Sequence, residues 1–142
     1  MHFTLLADRI EAVPIVARWS FDEWGHAAPG NTFEQTCARI SGKLNRDRAP
    51  LHVLAIEDDQ LLGVAQLKLR EMSVYPECEH WLGDVYVRTE SRGRCIASAL
   101  CNKIQSVAFS FGIRSLHLQT ERLDGGLYAR LGWRGVDRVR YN

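Results

Sequence analysis

The feature that most constrains this chain lies between residues 81 and 111. A β-forming run, Trp81 to Val87, passes through the polar segment Arg88-Thr-Glu-Ser-Arg-Gly-Arg-Cys95 into a stretch with apolar residues at helical spacing. Ile96, Leu100, Ile104, Val107, Ala108 and Phe111 form that apolar set, and Gly112 is placed as a helix stop. The first amides of a helix have no partner within it, and the peptide dipoles add partial positive charge at that end. An anionic group can supply the missing acceptors. Arg92 and Arg94 add charge at the same turn, and Gly93 lacks a side chain that would hold a pyrophosphate off the backbone. Taken alone, the turn is equally compatible with an ordinary strand-to-helix connection whose arginines face solvent.

The 142 residues, 46% hydrophobic and 25% charged, fit one globular domain over residues 1–142 with a core of its own. A formal net charge of +1 gives no electrostatic reason to expect nucleic acid or an anionic membrane as a partner. Phosphate binding would therefore be local. No apolar run approaches the length of a membrane span, and the first residues, with Asp8 and Glu11 close by, lack the organisation of a secretory signal, so a cytoplasmic address is expected. Cys37, Cys78, Cys95 and Cys101 form no Cys-x-x-Cys pair and have no histidine at zinc-ligand spacing; reduced thiols and no metal are expected.

Phe3, Leu5 and Leu6 suggest a first strand, and Asp8 is placed to cap a helix whose Ile10, Val13, Val16, Ala17 and Phe21 recur at helical spacing. Thr32, followed by Glu34 and Gln35, opens a second helix with Phe33, Cys37, Ile40 and Leu44 along one side. Leu51 to Ile56 and Leu61 to Leu69 read as an antiparallel hairpin around Glu57-Asp58-Asp59-Gln60. After the long helix, Ser115 to Gln119 alternates as a strand does, Leu123 to Leu131 is long enough for a short helix, and Gly132-Trp133 begins an extended segment running to Tyr141. The order β-α-α-β-β-β-α-β-α-β predicts an α/β fold with a central mixed, mostly antiparallel sheet flanked by helices.

Two motifs then give the chain a likeness. The turn Arg92-Gly93-Arg94-Cys95-Ile96-Ala97 is similar to the acetyl-CoA motif Arg/Gln-x-x-Gly-x-Gly/Ala of the GNAT N-acetyltransferases, with Cys95 where the family usually has glycine. Leu127-Tyr128-Ala-Arg-Leu-Gly132-Trp133 resembles the same family's late helix. The element order resembles the family over nearly the whole chain. Leu118-Gln-Thr120 more faintly resembles a subgroup that includes protein and peptide N-terminal acetyltransferases.

The resemblance implies acetyl transfer from acetyl-CoA to a primary amine, on a small molecule or a peptide, by direct attack without an acyl-enzyme. It places the pyrophosphate on the backbone of Arg92, Gly93, Arg94, Cys95, Ile96, Ala97 and Ser98, and the pantetheine arm along Val85 and Val87. It implies Tyr128 as proton donor to the leaving thiolate, since a phenol with a pKa of about 10 stays protonated at neutral pH. Asp84 is the base expected from its place beside the cofactor-binding part of the strand, with Glu79 and His80 as alternatives. Trp19, Trp24 and Trp81 could wall an acceptor site or fill the core, and Asp22 and Glu23 could greet a cation or mark a wet helix face. His26, His52 and His117 receive no role. A homodimer is left open, and the alternative function is a non-catalytic acyl-CoA-binding or regulatory module, for which the substituted glycine is the main argument.

Overall fold

The computed structural model describes residues 1–120 and 126–136. Strand β1 (His2–Leu5) leads through two short 3-10 turns into α1 (Val13–Glu23) and α2 (Phe33–Ser41). Strands β2 (Leu51–Glu57), β3 (Gln60–Leu69) and β4 (His80–Val87) follow, then α3 (Ile96–Ser110) and α4 (Gly126–Arg130). The sheet runs β1-β2-β3-β4 with every neighbouring pair antiparallel. Among the described residues, the expected strand at Ser115 to Gln119 makes one parallel bridge, His117 to Trp81. Of the expected last helix and last strand, residues 121–125 and 137–142 lie outside the described residues, and 133–136 form no strand.

Local signals explain most boundaries. Thr32 and Gln35 make a reciprocal capping box on α2, Gln35 N–H donating to Thr32 Oγ1 at 3.1 Å and Thr32 N–H to Gln35 Oε1 at 2.9 Å. Asp58 and Asp59 both take positive φ, 53° and 60°, as a two-residue hairpin turn requires. Gly112, at φ 81°, closes α3: its N–H reaches Phe109 O at 3.0 Å and that of Ile113 reaches Ala108 O at 3.1 Å. The Asp8 cap is a correction. Helix α1 begins only at Val13, with Pro14 in its first turn and no side-chain cap, and Asp8 instead pairs with Arg46.

Alternation along the strands divides the core in two. Leu51, Val53, Leu62, Ala65, Leu67 and Leu82 face α3 with Leu100 and Ile104, whereas Leu54, Ile56 and Val64 face Val16, Ala17 and Ile40 of α1 and α2. Each sheet face is thus covered by helix. His52, Gln66 and Thr36 are polar yet buried, all at 4% exposure or less.

Candidate active site

Helix α3 starts from a turn with an unusual backbone. Gly93 and Cys95 both lie in the left-handed region, at φ 84° and 60°. A glycine adopts that conformation freely, and a side chain costs roughly 1–2 kcal/mol there. Cys95 accepts it, with its side chain exposed. Among the described residues, the amides of residues 93 to 98 have no acceptor, the first bonded amide of the helix being Ala99 N–H to Cys95 O at 3.1 Å. A Cβ built on Gly93 would meet nothing within 4 Å, so the space beside that residue is open. Arg92 and Arg94 are both engaged. Arg92 Nε donates to Val87 O at 2.9 Å and its guanidinium lies 5.3 Å from the Tyr86 ring centre, while Arg94 pairs with Glu57 at 2.8 Å and holds that carboxyl below its usual pKa.

The strand leading into this turn is broken by a bulge. Val64 pairs with Tyr86 and Gln66 with Gly83, so Asp84 and Val85 together oppose the single residue Ala65. Asp84 absorbs the extra residue at φ 51°, a left-handed conformation that aspartate tolerates better than most. On the far edge of β4, Leu82 N–H donates to His117 O at 2.7 Å and His117 N–H to His80 O at 3.0 Å. Past the bulge the phase reverses: Arg88 N–H turns toward β3, meeting Leu62 O at 2.9 Å. By alternation the backbone groups of Val85 and Val87 point to the outer edge. That edge is unpaired by strand among the described residues, while both side chains pack into the α3-side core.

Asp84 belongs to a charged cluster on the face toward α1 and α2. Lys68 Nζ lies 2.7 Å from Glu71 Oε1 and 3.3 Å from Asp84 Oδ1. Burial alone would lower the Lys68 pKa, but Asp84 and Glu71 outweigh it and hold it above the ordinary value. Gly83 makes the room, since a Cβ there would stand 2.5 Å from Lys68 Cδ. Tyr128 of α4 lies on the opposite face, packed against the α3-side core. Burial raises its pKa, with Cys101 and Glu71 adding to the effect, so the phenol keeps its proton at neutral pH. Tyr128 and Asp84 are therefore not brought into contact; Glu71 acts on Tyr128 through its charge and shares Lys68 with Asp84. Cys101 is buried, which pushes its thiol up to about 11 and leaves it inert as a nucleophile.

A cleft lies between α1, α2 and the sheet, with Asp84 and Tyr86 on its wall. Trp19 and Trp24 line it too, Trp19 tilting over Tyr86 at 5.1 Å, whereas Trp81 is a core residue whose indole donates to Cys78 O at 2.8 Å. Glu79 lies outside the cleft, exposed and paired with Arg70 at 3.2 Å. Sequence reasoning missed Arg39, Lys43, His52, Gln66 and Lys68. For His52, Gln66 and Lys68 a signal existed: polar residues at alternate positions of strands whose neighbours are apolar.

Residues 13–133 match the acetyltransferase (GNAT) family, and the chain belongs to that family. It is an acetyltransferase. Similar solved structures include a possible acetyltransferase from Clostridium difficile 630, 16% identical with a TM-score of 0.76 over 99% of this chain and 95% of that one. A predicted acetyltransferase from Clostridium acetobutylicum, solved with acetyl-CoA, is 15% identical with a TM-score of 0.73 over 99% and 95%. The aminoglycoside N-acetyltransferase AAC(6')-Iy in complex with CoA is 18% identical with a TM-score of 0.75 over 99% and 93%. At such identities the likeness is one of fold. No curated protein matches the chain in sequence. No described helix is long and apolar enough to cross a membrane.

Proposed function

We propose that the chain transfers the acetyl group of acetyl-CoA to a primary amine held in the cleft beside Asp84. The carrying observation is the run of amides from residue 93 to 98 with no acceptor among the described residues, with open space beside Gly93. Such a run fits a diphosphate, and the outward backbone of Val85 and Val87 fits the amide groups of a pantetheine arm as an added strand would. Acetyl-CoA supplies an activated thioester; the protein supplies position and proton handling. Asp84 receives the ammonium proton of the acceptor, directly or through water, and Tyr128 donates to the departing sulfur from the other face. The attack is direct, with no acyl-enzyme, and Cys101, a buried neutral thiol, is unsuited to carry one.

The substituted glycine at Cys95 is the feature that favours a non-catalytic module. Cys95 adopts the left-handed backbone itself, so the cradle needs no glycine to form. Titration of the protein with acetyl-CoA, followed by a thiol assay for free CoA across an amine panel, tests the reading. Binding with CoA release supports it; binding without release from any amine would leave only the module.

A further inference from the structure

Three charged side chains line the cleft, Arg39, Lys43 and Asp84, so its wall carries two positive charges and one negative. Among the described residues, neither cation has a carboxylate within ion-pair distance; Arg39 reaches only Thr36 Oγ1, at 3.3 Å. Lys43 is half-buried just past the end of α2, and its pKa is lowered by burial first, then by Lys68, with Arg39 adding to the repulsion and Asp84 opposing it. On the negative side, Asp84 and Glu71 share the single cation Lys68, which leaves that cluster one negative charge in excess. The cleft is thus polarised, cationic at α2 and anionic at the bulge.

Its floor is unsatisfied as well. Among the described residues, His52 Nδ1 and Gln66 Nε2 have no hydrogen-bond partner, in side chains only 4% and 2% exposed. A buried amide donor is costly to leave without an acceptor, and a ligand oxygen would satisfy it. We infer that the acceptor is zwitterionic: a primary amine that also carries a carboxylate, with the ammonium toward Asp84 and the carboxylate on Lys43 and Arg39. Gln66 and His52 bind its oxygens from the floor, and Trp19 and Tyr86 cover its apolar part. A polycationic acceptor would place further positive charge against two cations that already lack partners.

This inference rests on the acetyl transfer proposed above and names its substrate class. The test measures kcat/KM by CoA release for a panel of α- and ω-amino acids, each beside its methyl ester, with an aminoglycoside as polycationic control. Esterification lowers the amine pKa and so favours the ester chemically, which makes the comparison conservative. The best free amino acid should exceed its ester by at least tenfold, and Lys43→Met should cost the free acid at least tenfold more than the ester. Esters or the aminoglycoside turned over as well as the acids, with Lys43→Met acting on both alike, overturns the zwitterion and leaves acetyl transfer standing. No CoA release from any amine overturns both.

Discussion

His52 supplies a thermodynamic test of how dry the cleft floor is. Its ring is 4% exposed, and burial, ahead of the smaller opposing effect of Asp84 and the repulsion from Lys43 and Lys68, lowers its pKa from 6.5 to about 4. The unfolded chain takes up a proton as pH falls through 6.5, whereas the folded chain refuses it until about pH 4. Stability from this group is therefore fully present above the unfolded value and is lost as pH falls from there toward the folded one. With those two values the linkage integral gives a loss on the order of 1 kcal/mol near pH 5.5 and about 3 kcal/mol near pH 4, relative to neutral pH. His52→Leu removes the titration while keeping an apolar group in the site. Urea unfolding of both proteins at about pH 7, 5.5 and 4 isolates the effect, since other titrating groups cancel in the difference. The stability of the wild type relative to the variant should fall by about 3 kcal/mol across that range, whatever the offset at neutral pH. Parallel stability curves would refute the argument, because a ring that protonates at its ordinary pKa is reached by water.

Tyr128→Phe should lower kcat by about 100-fold or more, the scale of a lost general acid, with acetyl-CoA affinity from calorimetry nearly unchanged; equal loss in both would mark a packing residue instead. Cys95→Gly relieves a left-handed side chain at φ 60°, and after the added freedom of the unfolded chain the net gain should be up to about 1 kcal/mol in urea melts. Activity should survive it, and a dead but folded variant would mean that the thiol takes part. Gly83→Ala puts a Cβ 2.5 Å from Lys68 Cδ, a flexible atom that can move, so turnover should fall at least ~10-fold while Tm shifts by only a few degrees. Unchanged turnover would detach the Lys68–Asp84 pair from the chemistry.

How much of this the sequence disclosed follows from the range of the forces involved. The capping box at Thr32 and Gln35, the Asp58-Asp59 turn and the Gly112 stop are local and were legible, as was the strand-turn-helix junction at Arg92. Asp8 failed as a cap because two short 3-10 turns intervene before α1, and nothing between Leu6 and Ala12 announces them. The Ser115 to Gln119 run has strand alternation, but among the described residues it forms one bridge to β4, and the bulge at Asp84 and Val85 follows beyond that register. Lys68, Glu71 and Asp84 converge from two strands and a connection, a meeting set by register, which alternation fixes only to within a slip of two residues. Arg39 and Lys43 look like an ordinary wet helix end until the sheet is laid beneath them.

The bulge joins these observations into one device. A regular β4 would keep all its backbone groups committed, one edge to β3 and the other to the chain at His117, with Asp84 following the same alternation as Leu82. One inserted residue changes three things together. It turns the backbone of Val85 and Val87 to the outer edge, it separates that edge from the His117 segment, and it throws Asp84 onto the face that carries Lys68 and the cleft. On the proposed reading, a pantetheine arm laid along Val85 and Val87 would run between the α3-side core that Tyr128 packs against and the cleft that Asp84 lines. In the proposed reaction the two groups need no contact with each other, since each would act from its own face of the sheet. The left-handed φ of 51° at Asp84, roughly 1–2 kcal/mol of backbone strain for a residue with a side chain, is then the cost of putting a carboxylate at that cleft.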